Sequence, residues 1–451
     1  MASIADLAKG GALIYDGSKG AMLQAMGLRG DEASESWNEA RPDDVLGVHA
    51  GYVAAGSEVI QTNTFPGNRR SLASHGIGGK VGDLNRAGVA LARRAADGAA
   101  LVAASVGPTG GFLEPAGDMT FEGAYADYRE QASALSEAGA DLINLETFTD
   151  LGEMRAAILA ARDCCGLPVV ASMTFDAGGR TLSGNTPEAC AIACQHLGVA
   201  MVGANCSGGP ESLLGPIRRM RGVSRLPLSV KANAGLPEVV GGKTFFKQTP
   251  ESFASYADAF LDSGVRLIGG CCGTTPEHIK ALATAVDAHP SRKAPFEALP
   301  DASAEFVSSP YAHLPFTEAL KFASLPCGSG PAMKAFAEGD AEALVGWAAD
   351  LADGSEDCLF LDFGPVAAFG PAEAHGPAAP YGGMWALVSS LSLSIRKPVA
   401  IRAADAGVFE GFLRYYPGRV AYVLEGLPAG QGRVLSAIAK RYGALEVGLP
   451  A

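Results

Sequence analysis

The sequence predicts a parallel α/β protein: a (β/α)8 TIM barrel over residues 1–290, then a smaller α/β domain of partial-barrel character. Three observations point there. Short β-like runs alternate with amphipathic helical segments along the first part of the chain. Eight such strand–helix units fit into that length. The polar residues that interrupt the apolar pattern fall at the C-terminal ends of the strands, where barrels carry their chemistry.

Taken in order, the strands are expected at 12–17, 58–63, 101–107, 141–146, 168–174, 201–206, 228–232 and 266–270. Some helix starts are plain: Thr186-Pro187-Glu188, Thr249-Pro250-Glu251 and Thr275-Pro276-Glu277 each offer a capping hydroxyl, a proline at the first helical position and an early acid. An open doubly wound sheet is the alternative, but no dinucleotide-type glycine fingerprint follows the first strand. The strand-end polar residues are Asp16, Asn63, Glu146, Cys206, Asn233 and the pair Cys271–Cys272. Residues 291–315, rich in Ala, Pro and Ser, are expected to form a linker. Beyond it, runs at 358–363, 398–402, 420–424 and 445–449 predict four more strands in an α/β domain over 316–451. Four strands cannot close a barrel, so an open or half-barrel sheet is expected there.

With 451 residues, 48% of them apolar, the chain can bury two large cores. Its formal charge of -13 argues against nucleic-acid or anionic-membrane surfaces. The N-terminus lacks a signal-peptide pattern, and no run reaches the ~18 apolar residues of a membrane span. Nine scattered cysteines, an odd number, do not form a disulfide framework, so a reducing cytoplasmic setting is expected.

Cys271 and Cys272 lie between glycines at a strand end, and Cys206 stands beside glycines at another. Three thiolates suit Zn²⁺ and leave a fourth tetrahedral position for a substrate. A free thiol has a pKa of ~8.5, and coordination to zinc removes its proton while leaving the sulfur nucleophilic. The set therefore predicts a thiol-activating zinc site, with Cys206, Cys271 and Cys272 both metal ligands and the catalytic core. A redox dithiol is the rival reading, although it ordinarily uses Cys-x-x-Cys. Cys164, Cys165, Cys190, Cys194 and Cys358 are expected to be buried small hydrophobes, with Cys164–Cys165 at the opposite end of the barrel.

Further motifs surround these cysteines. They are Asp16-Gly17 with Gly20-Ala21-Met22-Leu23-Gln24, Gln61-Thr62-Asn63-Thr64-Phe65, Ser105-Val106-Gly107-Pro108-Thr109-Gly110 and Glu146-Thr147. Gly179-Arg180-Thr181-Leu182-Ser183-Gly184, Asn205-Cys206, Asn233-Ala234-Gly235-Leu236-Pro237 and Gly269-Gly270-Cys271-Cys272-Gly273-Thr274-Thr275 follow. Across residues 10–290 this set resembles the homocysteine S-methyltransferases, and within them the homocysteine-binding module of the cobalamin-dependent methionine synthases. The resemblance implies that the cysteines bind zinc and that homocysteine completes the tetrahedron and is methylated to methionine. It also implies that Asp16 and Glu146 hold the substrate ammonium, and that Gly17, Asn63 and Asn233 line the substrate site. Asn63 and Asn233 could equally be turn residues bonded to nearby backbone. Ser18-Lys19 departs from the family, which has small or apolar residues there.

Residues 316–451 resemble, more weakly, the first half of a pterin-binding barrel. Leu361-Asp362-Phe363-Gly364 stands where an Asp-x-Asn pattern is expected, and Ile401-Arg402-Ala403 replaces an aspartate–serine pair. A degenerate domain serving stability, homodimer formation or docking is therefore expected. No Asp-x-His-x-x-Gly cobalamin pattern occurs, so methylcobalamin would be presented by a separate corrinoid protein. A small donor such as a betaine, a sulfonium or S-methylmethionine is the alternative, as are another thiol acceptor and a non-catalytic zinc scaffold.

Overall fold

The computed structural model describes residues 4–240, 243–297, 304–364, 381, 383–427 and 430–448. The chain divides into two compact units. One comprises Met1–Gly111, Gly123–Ser183 and Val199–Pro300; the other comprises Phe112–Glu122, Gly184–Gly198 and Asp301–Ala451.

The first unit is built on the eight expected parallel strands: β1 (Leu13–Ile14), β2 (Val59–Gln61), β3 (Leu101–Val106), β4 (Leu142–Phe148), β5 (Val169–Met173), β6 (Met201–Cys206), β7 (Leu228–Ala232) and, after an intervening hairpin, β10 (Val265–Gly270). The hairpin pairs β8 (Glu238–Val240) with β9 (Lys243–Phe245) in the loop after β7, and nothing in the sequence pattern announced it. The sheet runs β1-β10-β7-β6-β5-β4-β3-β2, and a parallel bridge between Tyr15 and Val59 joins its two ends into a ring. This is the TIM barrel expected from the alternation.

Side chains two residues apart share a face of a strand, and that periodicity grades the barrel interior from apolar to polar. Val59, Leu101, Ala103, Leu142, Val170, Met201 and Leu267 form one buried cluster, joined by Ile4 and Ala8 of the helix Ile4–Gly10. Continuing the same alternation, Gln61, Ser105, Glu146 and Lys231 line a cavity toward the C-terminal ends of the strands. Close strand packing demands Gly203 on β6: a Cβ there would lie 2.1 Å from the Ser229 carbonyl oxygen of β7. The expected helix starts form as read. Thr186 Oγ1 accepts from the Ala189 N–H at 3.2 Å, Thr249 Oγ1 accepts from the Ser252 N–H at 3.3 Å, and the Thr275 N–H donates to His278 Nδ1 at 3.2 Å.

In the second unit, β11 (Phe306–Ser308) and β12 (His313–Pro315) form an antiparallel hairpin inside the segment expected as a linker. Beyond it β13 (Phe322–Leu325), β14 (Cys358–Gly364), β15 (Val399–Ala403), β16 (Ala421–Val423) and β17 (Leu445–Val447) make one parallel sheet in sequential order. Four of these were expected. The fifth, β13, escaped notice because it has four residues and only alternate ones are well buried. Residues 298–303 of the expected linker and Leu449 of the expected last strand lie outside the described residues. Where the weaker resemblance places ligand-binding groups, Arg402 donates to Asp362 through Nε at 2.9 Å and Nη2 at 2.5 Å, so each side chain satisfies the other. No helix among the described residues is long and apolar enough to cross a membrane.

Candidate active site

Three sulfurs converge where two strands end. Cys206 closes β6, and Cys271–Cys272 follow directly on β10. Their Sγ atoms all lie within 4.8 Å of one another, with Cys206 and Cys272 at 4.0 Å. A tetrahedral zinc with Zn–S bonds of about 2.3 Å separates its sulfurs by about 3.8 Å, so the spacing fits that ion with small adjustments. Cys190, Cys194 and Cys358 are buried elsewhere as expected, whereas Cys164 and Cys165 are half-buried at the end of the helix Leu151–Cys164.

The backbone must bend sharply to turn Cys206 inward. Cys206 and Ser207 both adopt the left-handed region, at φ 62° and 65°. That conformation costs a non-glycine residue roughly 1–3 kcal/mol, so surrounding bonds must hold it. Ser207 Oγ donates to the Phe175 carbonyl. Asn233 Nδ2 donates to the Ser207 carbonyl at 3.0 Å, and its Oδ1 accepts from the Cys272 N–H at 3.0 Å. Asn233 thus ties the two cysteine loops together. Asn205 reaches Cys271 Sγ from its Nδ2 at 3.8 Å and accepts from the Thr147 N–H at 2.8 Å. Among the thiols, hydrogen bonds from Cys271 and Cys272 pull Cys206 well below its ordinary value, and the same sharing pushes Cys272 up.

The cysteines share a cavity of about 290 Å³ with Gly17, Lys19, Gln61, Asn63, Glu146 and Lys231. Its polar wall is part of a chain of two ion pairs joined through Gln61, with Asp16 buried just outside the lining. Lys231 Nζ donates to Glu146 Oε2 at 2.7 Å and also to Gln61 Oε1. Gln61 Nε2 and Ser105 Oγ both donate to Glu146 Oε1, the latter at 2.5 Å. Lys19 Nζ donates to Asp16 Oδ2 at 3.3 Å and to Gln61 Oε1 at 3.2 Å. Asp16 Oδ2 also accepts from the Gln61 N–H at 2.8 Å, while its buried Oδ1 has no partner among the described residues. Burial alone would lower the Lys231 pKa, but the charges of Glu146, Cys271 and Asp16 outweigh it and hold the ammonium above the ordinary lysine value. Burial raises Asp16 and lowers Lys19, each opposed by the other's charge.

The structure therefore gathers all the expected residues at one end of the barrel, in different roles. Glu146 faces the cavity with both oxygens engaged by the protein. Gly17 lines it at a close approach, since a Cβ there would meet Thr274 Oγ1 at 2.7 Å and Tyr52 Cε1 at 2.8 Å. Asn63 borders the cavity, but its Nδ2 donates to the Ser34 carbonyl at 2.8 Å and to Asn38 Oδ1 at 3.0 Å. Asn233 lies behind the cysteine loops. Sequence reasoning overlooked Gln61, Ser105 and Lys231 as site groups. Lys231 left a signal, a lone charge inside the otherwise neutral strand Leu228-Ser229-Val230-Lys231-Ala232; Gln61 and Ser105 left none beyond their motifs.

A family model described as homocysteine S-methyltransferase matches residues 13–286. Over 439 residues the chain is 31% identical to a methionine synthase of Mycobacterium tuberculosis, covering 91% of this chain and 35% of that protein. A methionine synthase of Mycobacterium leprae is 35% identical over 293 residues, or 61% of this chain and 24% of that one. The chain thus spans about a third or less of the length of these relatives. Among solved structures, the homocysteine methyltransferase MmuM from Escherichia coli in its metallated form has a TM-score of 0.54 at 26% identity, covering 62% of this chain and 98% of that chain. The oxidized form of the same protein has a TM-score of 0.51, also at 26% identity, covering 60% of this chain and 95% of that chain.

Proposed function

The chain belongs to the homocysteine S-methyltransferase family, and on that premise we propose that its barrel methylates the sulfur of homocysteine to give methionine, with Cys206, Cys271 and Cys272 holding a zinc ion. The observation that carries this reading is the convergence of three thiols, within 4.8 Å of one another, on the cavity that also holds the charged wall. When bound, zinc supplies the Lewis acidity that lets a substrate thiol lose its proton near neutral pH.

The protein's own groups do the rest. Asn233 and Asn205 fix the cysteine loops, so the sulfurs are placed before substrate arrives. The unpartnered Oδ1 of Asp16, buried beside Lys19, is the oxygen that would take the substrate ammonium once Lys19 moves aside. Glu146 contributes negative charge to the same wall while Lys231 keeps it neutralised. With the amino-acid end held, the substrate sulfur attacks the methyl carbon in line. Its lone pair forms the new S–C bond, the bond from methyl to carrier breaks with its electrons on the carrier, and the thiol proton passes to solvent. No covalent bond to the protein is needed.

The methyl donor in this reading is methylcobalamin on a corrinoid protein. Its support is that the likeness to a methionine synthase runs over 91% of the chain, well past the barrel that the MmuM structure covers. A small donor is the second reading, favoured by the near-complete cover of MmuM by the barrel alone.

The test is zinc content and methyl transfer measured together. The purified protein should carry close to one zinc per chain and form methionine from homocysteine with a methylated corrinoid protein. Cys206→Ala should lose the metal and reduce methionine formation by at least a hundredfold. A metal-free protein that gains no thiol affinity on adding zinc would overturn the site. Turnover with S-methylmethionine or a betaine, and none with the corrinoid protein, would move the donor to the second reading.

A further inference from the structure

We infer that Lys19 is a specificity-determining residue that receives the carboxylate of the acceptor, so that the pocket recognises a zwitterionic thiol by one contact to each charged end. The inference rests on the acceptor reading above and deepens it. The expectation from the motifs assigned two acids, Asp16 and Glu146, to the substrate ammonium and no side chain to its carboxylate. The structure divides the work differently.

Three donors already hold Glu146. Its Oε1 accepts from Ser105 and Gln61, and its Oε2 from Lys231 at 2.7 Å, in a pocket where that lysine side chain is 4% exposed. Freeing Glu146 for an ammonium would leave Lys231 buried and short of its counter-charge, which is strongly unfavourable. Asp16 is the acid with an unpartnered oxygen, Oδ1; its side chain is fully buried beside Lys19 and does not line the cavity, so it is reached only when Lys19 turns toward a ligand. On the cationic side the asymmetry is reversed. Lys231 is held by close contacts, whereas the bonds of Lys19 are long: 3.3 Å to Asp16, 3.2 Å to Gln61 and 3.5 Å to the Gly17 carbonyl. Lys19 also lines the cavity and keeps 11% of its side chain exposed. It is the cation that can exchange a weak partner for a substrate carboxylate at least cost.

Charge balance points the same way. Within the wall two acids and two lysines balance one another, so a ligand whose end remote from the thiol carried a single charge would leave that charge unbalanced there. A zwitterion brings none. An ammonium on Asp16 Oδ1 and a carboxylate on Lys19 Nζ give each charge an opposite neighbour, because those two residues are already partners.

Binding calorimetry on zinc-loaded protein tests this with three thiols: homocysteine, 4-sulfanylbutanoate, which lacks the ammonium, and 3-aminopropane-1-thiol, which lacks the carboxylate. Lys19→Met should weaken homocysteine and 4-sulfanylbutanoate by roughly tenfold or more, the scale of one charge-assisted bond, and leave 3-aminopropane-1-thiol within about twofold. Lys19→Arg should restore part of the loss, and Asp16→Asn should give the mirror pattern, sparing 4-sulfanylbutanoate. A Lys19→Met variant that weakens all three thiols alike would overturn the assignment and leave Lys19 a structural residue, as would one that weakens none. Failure of homocysteine itself to bind the zinc-loaded wild type would remove the acceptor reading, and this assignment with it.

Discussion

At the scale of single residues, Lys231 is the clearest case of a buried charge that only its counter-charge makes tolerable. It lies with Glu146 at a separation of 2.7 Å, and neither side chain is more than 6% exposed. Removing one partner strands the other, so Lys231→Met should lower the unfolding free energy by about 3–5 kcal/mol in urea titration. The double variant Lys231→Met with Glu146→Gln should recover most of that loss, because no uncompensated charge remains. An equal loss in both variants would show that Lys231 acts through packing instead. The cysteine trio was legible in the sequence because thiols beside glycines at strand ends are chemically unusual. The clamp role of Asn233 was not. It depends on an acceptor at Ser207 and a donor at Cys272, 26 and 39 residues away along the chain.

At the scale of elements, alternation located all eight barrel strands within a few residues, since parallel strands covered on both faces read as apolar runs. It missed β13 and the β8–β9 and β11–β12 hairpins, whose short pairings are decided by neighbours rather than by their own pattern. Spacing between elements leaves a sharper signature. Gly203 marks where β6 approaches β7, and Gly203→Ala would push a Cβ against backbone that has no freedom to move, 2.1 Å from the Ser229 carbonyl oxygen. The substitution should cost about 1–3 kcal/mol or more, read as a lowered Tm, and should weaken zinc retention because β6 carries Cys206. An unchanged Tm would mean that the two strands separate more readily than their register suggests.

At the scale of the whole molecule, two of the buried titratable groups make opposing contributions to the dependence of stability on pH. Burial raises the Glu35 carboxyl to about 7, against 4.5 when free. The folded state then holds that proton longer than the unfolded chain, so Glu35 lowers stability as pH rises from 4.5 to about 7. Burial, with the Lys19 charge, lowers His49 to about 3, against 6.5 when free, and both its ring nitrogens lack partners among the described residues. Here the unfolded chain binds the proton first, so stability falls as pH drops below 6.5. Between 4.5 and 6.5 the two slopes cancel. Relative to the wild type, Glu35→Gln should remove one falling contribution across that window, and should gain on the order of 3 kcal/mol at pH 8 while matching it near pH 4. Chemical denaturation at a series of pH values reads this directly, and parallel profiles for the two proteins would remove Glu35 as the cause.

The sequence by itself determined the barrel, the placement of its chemistry at the strand ends and the identity of the three thiols. Those follow from local periodicity and from residue types that few other roles require. Only the tertiary structure decided how the charges are shared. Asp16, Lys19, Gln61, Glu146 and Lys231 come from four different strands or their following loops, and which acid keeps a free oxygen depends on distances of a few tenths of an ångström between them. Periodicity places a side chain on a face, but the partner it meets there is supplied by a distant part of the chain.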